Sequence, residues 1–162
     1  MSILPKPTPA SAPRTADANK IAIFYAFLLT VFVVAQLFTF ESFLELLRAF
    51  DLPMTDEQAY GFTASLIAAE LFALPFLLRM PLSRAFRWVS MGLGWLVALS
   101  WVGLTLWLVL TQPDVETVGF LGTAVDIIPG WWAVCISVGL GILASWASWG
   151  LWPGKRKKIV AN

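Results

Sequence analysis

The sequence predicts an all-α integral membrane protein: a bundle of four transmembrane helices with an amphipathic interfacial helix after the first span. Hydrophobic residues make up 59% of the 162 residues and charged residues only 13%, against about 25% charged in an ordinary globular domain. A soluble domain of this size cannot hide that much apolar surface in one core. The apolar residues also gather into four long stretches separated by charged segments. The excess apolar surface is therefore expected to face lipid.

Each apolar stretch is long enough to cross a hydrocarbon core, which takes roughly 20 helical residues. The predicted spans are 21–40, 60–78, 88–110 and 130–152. These runs lack the alternation of barrel strands, and only helices or closed barrels satisfy every backbone polar group in lipid. The sequence thus predicts a four-span domain over 20–152. It lies between a Pro-rich cytoplasmic tail at 1–19, expected to be disordered, and a basic cytoplasmic tail at 153–162.

The charges of the connecting segments predict the orientation. Acidic residues dominate the first and third loops: Glu41, Glu45, Asp51, Asp56, Glu57, Asp114, Glu116 and Asp126. Basic residues dominate the second link and both tails: Lys6, Arg14, Lys20, Arg79, Arg84, Arg87, Lys155, Arg156, Lys157 and Lys158. Basic segments mark the cytoplasmic side, so both termini are predicted to be cytoplasmic. The expected location is a cell membrane of the bacterial cytoplasmic type.

The first loop opens with an amphipathic stretch over 41–52. Its apolar face carries Phe43, Leu46, Leu47 and Phe50, and the opposite face is charged. Such a helix lies in the outer membrane interface or folds back over the mouth of the bundle. Pro53 ends it, and Thr55 is positioned to cap the second span.

Glu70 is the ionisable side chain that these boundaries place inside the hydrocarbon region. A charged carboxylate at mid-membrane costs about 2.5–3.5 kcal/mol on translocon-type scales, so Glu70 is expected to face the bundle as the neutral acid. Gln36, Thr63, Ser65 or a serine of span four is positioned to donate a hydrogen bond to it. Two interpretations stay open: a proton-accepting or quinone-contacting group, and a neutral carboxyl that joins two helices. Pro75 is expected to kink the same helix.

Span four carries small residues at four-residue spacing, which lets helix backbones approach closely. They are Ser137, Gly141, Ser145 and Ser148. They predict a packing seam of the bundle or an interface for a protein partner or a second copy of the chain.

In span three, Trp95, Trp101 and Trp107 lie deep enough that each indole N–H needs a partner.

Composition excludes several classes of function. The net charge of +1 gives no electrostatic case for nucleic acid, and the absence of histidine removes the commonest metal ligand and general base. Cys135 is the only cysteine, so it forms no intrachain disulfide, and it is expected to be a small core residue.

The sequence of the third loop, 112–129, predicts a short helix after Pro113 or a partly re-entrant turn, and its acids match no calcium-loop pattern. No metal site, cofactor or catalytic residue is evident; a quinone or a lipid is the candidate ligand.

Two segments carry a family resemblance. Span one is followed by "FESFLELLRAFDLP" (40–53) and then by "AYGFTASLIAAELFALPFLLRM" (59–80). This order of an amphipathic helix, a Leu-Pro turn and a span with an acid before a leucine run resembles the small four-helix DoxX/MauE group of membrane proteins. The resemblance implies that Glu70 is the family's intramembrane acid and Pro53 its turn. It also implies a link to thiol or quinone oxidation, or to the maturation of periplasmic redox enzymes.

Three hypotheses follow. The first is an accessory subunit of a redox-associated membrane system, without catalytic activity of its own, because the chain has no histidine and no paired cysteines. The second is a small oligomeric transporter or proton-relay module centred on Glu70. The third is a structural subunit of a larger membrane assembly that packs through span four.

Overall fold

A computed structural model describes residues 8–10 and 12–153. This part of the chain forms five α-helices and no strand: α1 Ala16–Phe38, α2 Phe40–Ala49, α3 Asp56–Leu77, α4 Arg84–Thr111 and α5 Trp131–Gly150. All except α2 are long and apolar enough to cross a membrane. The all-helical class and the four candidate spans are thereby confirmed. Lys6 and the basic residues of the C-terminal tail, 155–158, lie outside the described residues.

The four long helices form a closed ring. Helix α1 contacts α3 and α5, and α4 contacts the same two helices from the opposite side. We call the end of the ring that holds α2 and residues 112–130 the acidic end. The opposite end, with residues 78–87, is the basic end. Large side chains on the outside of the helices stay exposed, such as Phe27 at 62% and Leu99 at 61%, as expected for a surface that meets lipid.

Three helices begin four or five residues before the predicted spans, because polar caps extend them beyond the apolar run. The Thr15 hydroxyl accepts from the Ala18 N–H at 3.1 Å, and Ser83 caps α4 in the same way. Thr55 caps α3, as predicted, and the Gln58 side chain accepts from the Thr55 N–H to complete a capping box. Residues 16–19, which the sequence placed in the tail, are therefore the first turn of α1.

The described part of the N-terminal segment lies across the basic end. The Arg87 guanidinium donates to the carbonyls of Thr8 at 2.8 Å and Pro9 at 3.3 Å. The Arg14 guanidinium stacks over the Trp149 ring, 5.1 Å from its centroid. These contacts give Thr8, Pro9 and Arg14 defined partners in a segment whose composition alone predicts disorder.

Helix α2 folds onto the acidic end. Its predicted apolar face packs against the bundle, with Phe43, Leu47 and Phe50 buried and Leu46 half-buried. The charged face is exposed, and Arg48 pairs with Asp56 at 3.2 Å. The position of α2 at a membrane surface stays a prediction.

Residues 112–130 contain no helix, so the helix predicted after Pro113 is wrong. The segment instead turns through Gly119 and Gly122, which both have positive φ, and inserts the side chain of Phe120 into the core. A Cβ at Gly122 would overlap the Thr39 hydroxyl, and this hydroxyl accepts from the Thr123 N–H at 3.2 Å. Only glycine fits this close approach between the loop and the end of α1.

Candidate functional site

The carboxyl of Glu70 lies at the centre of the bundle with no exposed surface. Its Oε1 accepts from the Gln36 Nε2 of α1 at 3.3 Å and from the Trp101 Nε1 of α4 at 3.0 Å. The structure thus places Gln36 beside Glu70, in agreement with the prediction. Thr63 donates to the Ala59 carbonyl of its own helix, and Ser65 is exposed, so neither is a partner.

Trp101 is the partner that sequence reasoning missed. The sequence indicates that a deep indole N–H needs a partner and that a buried carboxyl needs a donor, but it does not show that these two groups meet. The other two deep indoles also have partners, as predicted. Trp95 donates to the Ser148 hydroxyl at 3.0 Å, and Trp107 donates to the Phe50 carbonyl at 2.9 Å.

Aromatic rings from α1, α2 and the loop pack together with Trp101, the indole partner of Glu70. Phe120 of the loop lies 4.7 Å from Trp101 and 5.7 Å from Phe32 between ring centroids. Phe43 of α2 stacks on Trp101 at 6.4 Å. Gln36 Nε2 also donates to the Phe120 carbonyl at 3.1 Å, so one amide group joins the carboxyl to the loop. Both donors to Glu70 are therefore held in place by Phe120.

The hydrogen bonds of this site do not balance. Gln36 uses its amide nitrogen on two acceptors, yet its Oε1 has no partner within the described structure, and neither has Oε2 of Glu70. Both atoms are buried acceptors, so the site lacks donors. An ionised carboxylate has no hydrogen to offer, whereas the neutral acid supplies one O–H. A proton on Glu70, or a small ligand that carries N–H or O–H groups, would restore the balance.

Pro75 is inside α3, where it removes one backbone donor. Near it, the Ser90 hydroxyl of α4 enters the hydrogen-bond ladder of α3. It donates to the Phe72 carbonyl at 2.6 Å and accepts from the Phe76 N–H at 3.1 Å. This side chain is a recognised cause of a helix bend, and it ties α4 to α3 at the proline. The kink at Pro75 stays a prediction, and the contact of Ser90 with α3 was not predicted from the sequence.

The predicted seam on α5 divides into two parts. Ser137 is buried and accepts from Thr105 at 3.1 Å, and Ser148 is the partner of Trp95, so both face α4. Ser145 is exposed, and a Cβ at Gly141 would meet no atom within 4 Å. The last two residues therefore lie outside the bundle core, and their role as an interface stays a prediction.

Cysteine and a metal-binding cluster are two common reactive centres, and neither occurs at this site among the described residues. Cys135 is exposed on α5, so the expectation of a core residue is wrong. Within the described part of the chain, no three acidic or cysteine side chains come together in a group that could hold a metal ion. The groups at the Glu70 site itself are one enclosed carboxyl and its amide and indole partners.

The four long apolar helices fit an all-helical, polytopic membrane protein, which is the class that the fold and the site define. The chain matches no protein-family model, no curated protein and no solved structure.

Proposed function

We propose that this polytopic membrane protein is an accessory subunit of a redox-associated membrane system and that it works with a partner that carries the cofactor. The observation that supports this function is the enclosure of the Glu70 network. Its hydrogen bonds join α1, α3, α4 and the loop at the acidic end, while the carboxyl has no exposed surface. Such a network fixes the relative positions of three spans and presents no group directly to a substrate. The redox association rests on the resemblance to the DoxX/MauE group alone.

The proposed partner surface is the lipid-facing side of α5. Gly141 and Ser145 leave room for a close backbone approach there, and Ile142 and Trp146 beside them are about half exposed. A heterologous subunit or a second copy of the chain would bury these side chains. The same surface would bind a neighbouring subunit if the chain is a structural subunit of a larger membrane assembly.

Extraction in a mild detergent followed by native mass spectrometry tests the accessory role. We expect one protein partner to co-purify with the wild type and to be lost from Gly141→Leu, whereas Leu99→Ala, on an exposed face of α4, retains it. A chain that is isolated without a partner, and whose deletion leaves membrane redox activity unchanged, would sink the proposal.

A second candidate function is a proton relay, favoured by the unpartnered Oε2 of Glu70. An enclosed carboxyl that lacks donors is suited to take up a proton. Release would require movement of the Phe120 loop, because that loop holds both donors of the carboxyl. Glu70→Gln cannot exchange a proton, so a relay would lose proton flux in reconstituted vesicles. An accessory subunit would retain its partner's activity in the same variant.

The proposed orientation places the acidic end outside and both termini in the cytoplasm. Cysteine introduced at Glu45 should react with an impermeant maleimide in intact cells, and cysteine at Arg84 only after permeabilisation. Cys135→Ser provides the background. Labelling of residue 45 from the cytoplasmic side alone would overturn the orientation.

A further inference from the structure

The acidic end contains an open groove that the Glu70 site does not use. It lies between the end of α4 and the start of α5, and its cavity volume is about 330 Å³. This volume falls within the roughly 300–1,000 Å³ of small-ligand sites. Its lining is mostly apolar and includes Val109, Val115, Ile128 and Trp131. Ile128 is 72% exposed and Trp131 65%, so the groove opens to the outside of the bundle.

Charges at the rim of the groove favour one kind of occupant. Asp114 and Glu116 flank the lining residue Val115, Asp126 comes two residues before Ile128, and all three acids are exposed. No lysine or arginine occurs in the sequence from residue 88 to residue 154. The single arginine of the acidic end, Arg48, is already paired with Asp56. An apolar chain in the groove would thus end beside carboxylates without a cation.

We infer that this groove binds the acyl chain of a lipid whose headgroup carries a primary ammonium, such as phosphatidylethanolamine. The apolar lining takes the chain, and the acids at the rim pair with the ammonium. An anionic headgroup is disfavoured, because its charge would meet three carboxylates and no basic side chain. The site is separate from Glu70 and does not depend on the proposed function.

A second groove on the same protein provides an internal control. It lies on the lipid-facing side of α5, has a volume of about 390 Å³ and is lined by Ile142, Ser145, Trp146 and Trp149. It is apolar as well, yet no acid lies within two residues of its lining residues in the sequence, and Arg14 stacks on Trp149. The two grooves therefore differ in the charge at the rim, and only the groove at the acidic end should prefer an ammonium headgroup.

The test uses the full chain in nanodiscs of phosphatidylcholine, phosphatidylethanolamine and phosphatidylglycerol, in equal amounts and with identical acyl chains. Benzoylphenylalanine replaces Ile128 in one sample and Ile142 in another, and the headgroup of the crosslinked lipid is identified by mass spectrometry. We expect crosslinks at position 128 to favour phosphatidylethanolamine over phosphatidylglycerol about fivefold, the scale of exposed charge pairs. No such preference is expected at position 142.

Two double variants complete the test. Asp114→Asn with Glu116→Gln should abolish the preference at position 128, and Glu41→Gln with Glu45→Gln, which removes two acids of α2, should leave it intact. Unchanged crosslinking at position 142 shows that each variant is folded. Equal capture of both headgroups at position 128, or a preference that survives Asp114→Asn with Glu116→Gln, would overturn the inference.

Discussion

Two buried polar junctions connect the long helices, and they differ in whether their hydrogen bonds balance. At the junction near Pro75, the Ser90 hydroxyl donates to the Phe72 carbonyl at 2.6 Å, with a longer contact to the Ala73 carbonyl at 3.2 Å, and accepts from the Phe76 N–H, so it has partners both as donor and as acceptor. At the central junction, Gln36 and Glu70 each retain a buried acceptor that has no partner among the described residues. The polar atoms of a balanced junction already have partners, so its structural role explains it. An unbalanced one in an apolar interior is costly unless a proton on Glu70 or an added donor satisfies its acceptors.

The largest expected loss of stability comes from removing the Trp101 indole, which donates to Glu70 at the central junction. Trp101→Ala removes a fully buried indole and one of the two donors to Glu70. We expect a loss of about 3–5 kcal/mol in the free energy of unfolding, as for other large-to-small changes in a core. Denaturation in mixed micelles measures it, with the half-exposed Trp146→Ala as the matched control. Equal losses for the two variants would contradict the central position of Trp101.

The balanced junction predicts a smaller, purely structural effect. Ser90→Ala leaves the buried Phe76 N–H and the Phe72 carbonyl without the hydroxyl that bridges them. The expected destabilisation is about 1–3 kcal/mol, the cost of buried unsatisfied groups. Ser145→Ala, at an exposed serine of α5, should change stability by less than about 0.5 kcal/mol. If Ser90→Ala behaves like Ser145→Ala, the bridge does not hold α3 to α4.

The unbalanced junction predicts the smallest change in stability. Glu70→Gln keeps one oxygen for Gln36 and Trp101 and replaces the unpartnered oxygen by an NH₂ group that donates. The free energy of unfolding should therefore stay within about 1 kcal/mol of the wild type, or rise. Glu70→Leu, which removes both oxygens, is the contrasting variant and should destabilise the protein. A large loss in Glu70→Gln would mean that the ionised carboxylate is required.

Much of the fold could be predicted from the sequence, because length and apolarity alone define spans in a bilayer. The pairing of Gln36 with Glu70 was also within reach, since a buried acid in an apolar helix needs a donor. Three features were not. The contact of Trp101 with Glu70 depends on the rotation of α4 about its own axis. The contact of Ser90 with α3 depends on how far along the helix axis Ser90 lies from Pro75. The insertion of Phe120 depends on a loop that has no periodic pattern. These are properties of how the helices pack, and no local pattern in the chain encodes them.

Infrared difference spectroscopy on the purified protein tests the central claim most directly, because it detects whether the Glu70 carboxyl carries a proton. The shortage of donors around Gln36 and Glu70 predicts the C=O stretching band of a neutral carboxylic acid in the wild type, and the loss of this band in Glu70→Gln. Glu45→Gln, at an exposed acid of α2, should leave the band unchanged. A wild-type spectrum in which the Glu70-dependent signal is that of an ionised carboxylate would contradict the account.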